Sequence, residues 1–136
     1  MKIALSHQLT IAVHPGRYGI CRLEPDAPLP VWATAGNFLS VTRTAQELSI
    51  VCIESVVPGD IHAERNRRLL QIEGTLTLAF GLSGVLASVA APLAKAAISI
   101  SVISTYDADY LLVSEDDLPA ATEVLEAAGH TIRQTK

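Results

Sequence analysis

The segment Gly81-Leu82-Ser83-Gly84-Val85 is the part of the chain best suited to hold a small anion. It joins a stretch of period two to one of helical period, so a helix starts here. The first N–H groups of a helix have no carbonyl partner within it. Those groups and the helix dipole favour a carboxylate, and two glycines let a ligand approach the backbone closely. The tripeptide Ile103-Ser104-Thr105 ends a later alternating stretch, where carbonyl and hydroxyl oxygens are available to an ammonium group. Leu82, Ser83, Gly84, Val85, Ile103, Ser104 and Thr105 are therefore the candidate ligand-binding residues.

Other reactive side chains do not assemble into a known constellation. Asp107 and Asp109 have the alternate spacing of a metal loop, but no further oxygen ligands follow at calcium-loop spacing, so they read as a turn. His7, His14, His62 and His130 are scattered, with no HExxH spacing. Ser83 lacks the five-residue elbow of a hydrolase nucleophile. His62, Arg65, Arg67 and Arg68 form a basic run diluted by Glu64, which reads as a solvated face. A small enzyme using Asp107 or Asp109 with a histidine is the weakest reading, because no spaced acid–base set supports it. No catalytic residue, metal site or cofactor is expected.

The elements that must hold these residues fit in 136 residues, enough for one compact domain or two small modules. Apolar residues make up 49% and charged residues 18%, which excludes a disordered or coiled-coil chain. A net charge of −4 argues against binding along a phosphate backbone, and six aromatic residues supply few stacking platforms. Cys21 and Cys52 sit in apolar runs without ligand spacing and read as reduced core thiols. With no secretory signal at the start, they point to the cytoplasm. The uncharged run from Gly74 to Ala94 is long enough to span a membrane. Its glycines, hydroxyls and Pro92, and its change of period at Gly81, favour a strand followed by a helix.

The C-terminal half parses as a strand over 75–80, a helix over 84–96 bent by Pro92, a strand over 98–104, a strand over 110–113, a helix over 116–128 and a strand over 130–132. Asp116 is the expected N-cap of the second helix and Gly129 its C-cap. That order is the βαββαβ of ferredoxin-like α+β folds. In the N-terminal half, 9–13, 19–23, 38–44, 48–53 and 67–72 are strand-like, and the proline-rich tract 24–30 is loop or a short helical turn. An offset of 62 residues places Val41 on Ile103, Thr42 on Ser104, Ile50 on Leu112, Val51 on Val113 and Glu54 on Asp116. Two related modules follow from that match, divided as residues 1–72 and 73–136.

The run from Leu82 to Thr105 combines a glycine-containing loop, a helix ending in Leu-Ala-x-Ala and a strand ending in Ile-Ser-Thr. It resembles the core of an ACT domain, and Tyr110-Leu-Leu-Val and Glu115-Asp-Asp-Leu continue the likeness. The resemblance extends to the regulatory tails of aspartate kinases and to small tandem ACT proteins. Ala97 departs from it, since many relatives carry glycine at this helix end; alanine there implies an ordinary termination. The family implies that the loop and the Ile103–Thr105 strand end lie side by side. It also implies a sensor, binding a small molecule such as an amino acid, without catalysis and as a homodimer. The alternative is a ligand-free adaptor that mediates dimerisation or partner binding.

Overall fold

The computed structural model describes residues 8–73 and 82–135. In chain order they form β1 (Thr10–Val13), β2 (Tyr18–Leu23), a 3-10 turn (Val31–Thr34), β3 (Leu39–Arg43), β4 (Leu48–Ile53) and a second 3-10 turn (Glu54–Val56). There follow β5 (Ala63–Glu73), α1 (Leu82–Lys95), β6 (Ser101–Ser104), β7 (Asp109–Ser114), a third 3-10 turn (Glu115–Asp117), α2 (Leu118–Ala127) and β8 (Thr131–Gln134). The strand expected over 75–80 lies outside the described residues. The chain groups into two units, residues 16–67 and residues 1–15 with 68–136. The grouping is interleaved, where a single cut after residue 72 was expected from the sequence.

In the 16–67 unit the strands run in the order β3-β4-β2-β5. Each neighbouring pair is antiparallel. Alternation puts Leu48, Ile50 and Cys52 on one face with Cys21, and the 3-10 turn at Ala33 and Trp32 covers them. The proline tract is held by Arg43, whose guanidinium donates to the carbonyls of Pro25 and Ala27. Strand, turn, strand, strand, turn, strand is the βαββαβ order with each helix reduced to one turn.

The other unit has the strand order β6-β7-β5-β1-β8, with β1 antiparallel to β5 and parallel to β8. Its core is Ile11, Val13, Leu70, Ile72, Leu111 and Val113 from the strands, and Val85, Val89, Leu93, Ala121 and Leu125 from the helices. Leu86, Leu118 and Val124 pack at the edge of this cluster, as their helical spacing predicts. Asp116 is not the N-cap of α2. Ser114 Oγ accepts the Asp116 N–H at 3.2 Å, a 3-10 turn intervenes, and Pro119 falls in the first turn of the helix. The fold is α+β and ferredoxin-like, built from two modules of one design.

The repeat is real, but its offset is 61 residues. Adding 61 carries β4 onto β7 and Glu54–Val56 onto Glu115–Asp117, end to end. The two strands share one order of buried and half-buried positions. The hairpin turns agree as well. Thr44 Oγ1 accepts the Glu47 N–H at 3.2 Å, and Thr105 Oγ1 accepts the Ala108 N–H at 3.0 Å. At the expected offset of 62, every matched side chain would point to the opposite face of its sheet.

Candidate functional site

Helix α1 begins at Leu82, two residues earlier than the sequence pattern placed it, so Leu82, Ser83 and Gly84 form its first turn. Val85 is fully buried in the core beside Val89 and Leu93, so only its backbone can serve a ligand. Gly84 opens onto a half-open cleft of about 350 Å³, lined further by Ala87, Ser88, Ala91, Pro92, Ala128 and His130. Its walls are mostly apolar, which suits a small aliphatic group.

His130 is the wall residue that the sequence reading passed over. It is buried and uses both ring nitrogens: the Leu9 N–H donates to Nδ1 at 3.1 Å, and Nε2 lies 2.8 Å from the Ser88 carbonyl. With Nδ1 accepting, the proton sits on Nε2. The Ser88 carbonyl is the one that residue 92 would satisfy in a regular helix, and proline has no N–H to give. A proline within a helical pattern was a legible sign that some other donor had to reach that carbonyl.

Ile103 and Ser104 end β6, with Thr105 just beyond it, and the cleft includes none of them. Ser104 Oγ donates to Asp109 Oδ1 at 2.5 Å, while Thr105 Oγ1 closes its own turn onto Ala108. The seven candidate residues thus fall in two places, the start of α1 and the β6–β7 hairpin.

The basic run is absorbed by local structure. Arg65 donates to the carbonyls of Pro58 and Ile61, Arg67 pairs with Glu64, and Arg68 pairs with Glu115 and donates to the His14 carbonyl. Among the described residues no three of His, Cys, Asp and Glu converge to hold a metal ion. Nor, among them, is any helix long and apolar enough to cross a membrane.

The unit that holds the candidate residues is thus a ferredoxin-like module with a glycine-containing helix start and a serine- and threonine-containing strand end. The model of the ACT domain matches residues 62–127, and a second model, described as an N-terminal domain, matches residues 16–60. A crystal structure of an Agobacterium tumefaciens protein is 36% identical, with a TM-score of 0.90 over 96% of each chain. A Vibrio cholerae protein described as a possible transport protein is 18% identical, with a TM-score of 0.69 over 93% of this chain and 94% of that one. The regulatory subunit of aspartate kinase from Thermus flavus is 16% identical, with a TM-score of 0.62 over 90% of this chain and 99% of that one. The chain belongs to the ACT domain family.

Proposed function

We propose that this protein is a cytoplasmic regulatory sensor that binds an amino acid and carries out no catalysis of its own. The observation that carries the reading is the ACT match over residues 62–127, which includes both parts of the candidate site. The likeness to the regulatory subunit of an aspartate kinase agrees with it. The first turn of α1, at Leu82, Ser83, Gly84 and Val85, would take the carboxylate on its N–H groups. The strand end at Ile103, Ser104 and Thr105 would face the ammonium group. Most of these contacts come from the backbone, so a folded frame rather than a set of side chains defines the site.

A thermal-shift screen of the twenty amino acids tests this. A binder at a hundredfold excess over its Kd stabilises the protein by about 2.7 kcal/mol. Gly84→Pro removes one donor of the first turn, where proline is tolerated, so binding should weaken while Gly84→Ala binds as before. Full affinity in a folded Gly84→Pro protein would place the ligand elsewhere.

Two copies are expected to associate through the β6 side of the second unit, burying roughly 800 Å² per partner. Exposed Val102 and Tyr106 at that side support this assembly. They equally support the second reading, a ligand-free adaptor, which predicts dimers in light scattering and no response to any amino acid.

A further inference from the structure

Asp109 is the one carboxylate buried among the described residues, only 4% exposed. The 61-residue repeat sets it where the other unit carries Leu48, which is fully buried. Both start the second strand of a hairpin. Asp109 shares its sheet face with Leu111 and Val113, which pack under the helices. An ionised carboxylate accepts about four hydrogen bonds. This one receives the Ser104 hydroxyl, and among the described residues no Lys, Arg or His forms an ion pair with it. A buried carboxyl group given one neutral donor among the described residues is costly, and leucine at the equivalent position shows that the fold does not demand it. Departures of this kind, where local stability is given up, tend to mark functional positions.

We infer that the Asp109 carboxylate receives the ammonium group of the ligand, with Ser104 as its positioning residue. An ammonium group brings a full positive charge and three donors. The carboxylate and the Ser104 hydroxyl oxygen lie 2.5 Å apart, close enough for one such group to meet both. Ser104, the hydroxyl partner of the acid, is an exposed residue on the outer strand β6, which places the pair at the edge of the sheet. A metal ion fits less well, because no third ligating group converges here among the described residues. The inference deepens the sensor reading and rests on it for the identity of the ligand.

The experiment compares the wild type with Asp109→Asn in thermal shift and calorimetric titration. The probes are the twenty amino acids and three amines without a carboxylate: ethanolamine, putrescine and cadaverine. The expected result is an amino acid that binds the wild type and loses at least tenfold in affinity with Asp109→Asn. Equal affinity for the two proteins overturns the role of Asp109 and leaves the sensor reading standing. Amines alone binding, and only to the wild type, would support Asp109 and overturn the amino-acid reading. No probe binding the wild type overturns both. If Asp109→Asn fails to fold, the α-hydroxy acid matching the amino acid that binds is titrated into the wild type. Undiminished affinity for that acid, which has no ammonium group, also overturns the inference.

Discussion

His130 supplies the hydrogen bond that Pro92 withholds: its Nε2 stands 2.8 Å from the Ser88 carbonyl, four residues before the proline. The same ring accepts the Leu9 N–H, so one buried side chain ties the N-terminal segment to a defect in α1.

His130→Phe keeps a planar ring at this position but strands both partners, at about 1–3 kcal/mol for each buried group. In a Pro92→Ala background, the new alanine N–H satisfies Ser88 in the ordinary helical way. The cost of His130→Phe should then fall by about 1–2 kcal/mol. A double-mutant cycle in urea denaturation reads this coupling, and additive effects would show that the two residues act independently.

The helix ends make a second pair. Ala97 and Gly129 both have positive φ, 61° and 100°. Each helix closes with the same two bonds, Ile98 N–H to Leu93 O and Ala97 N–H to Ala94 O in α1, and His130 N–H to Leu125 O and Gly129 N–H to Glu126 O in α2. Alanine at Ala97 is therefore no ordinary termination; it occupies a left-handed position at a steric cost of about 1–2 kcal/mol. Glycine avoids that cost but loses more chain entropy on folding, so Ala97→Gly should stabilise the protein by about 0.5–1 kcal/mol. Calorimetry would show a rise of a few degrees in Tm, and a fall would contradict the cap assignment.

Cys21 and Cys52 lie buried together in the sheet of the 16–67 unit. Burial, with the neighbouring Cys21 thiol adding to it, pushes the Cys52 thiol from 9.0 up to about 11. Burial raises Cys21 as well. A raised folded-state pKa favours the protonated thiol, so this contribution is whole below pH 9 and is lost as the pH climbs toward 11. The 61-residue repeat puts Val113 at the position of Cys52, which makes Cys52→Val a conservative exchange. Stability near neutral pH should change by less than about 1.5 kcal/mol, while the alkaline decline becomes shallower. Urea denaturation between pH 8 and 11 measures both, and an unchanged alkaline slope would rule out Cys52 as its source.

Local periodicity made the strands and helices readable. The helices, the hairpins and the ferredoxin-like order all follow from which residues repeat at two and which at 3.6. The offset of the repeat was misread by one because Ile50-Val51-Cys52 and Leu111-Leu112-Val113 are apolar on both faces, and no polar residue marks the buried side. The reading of Ala97 failed for a related reason: side-chain type states a preference, while the closing hydrogen bonds decide the backbone. Of the candidate site, the helix start was visible in its glycines. Asp109 was visible only as half of a turn, since its burial depends on pairing with β6 and on the helices above it.

The position of β1 has a consequence for synthesis. Residues 10–13 are made before both of their partners, since they pair with β5 on one side and with β8 on the other. Once made, β1 must wait for β8 before its pairing is complete, a high-contact-order closure that is slow to form. A fragment cut to the ACT match at residues 62–127 lacks both strands. It would expose the edge of β5 that β1 normally covers, inviting aggregation in place of folding.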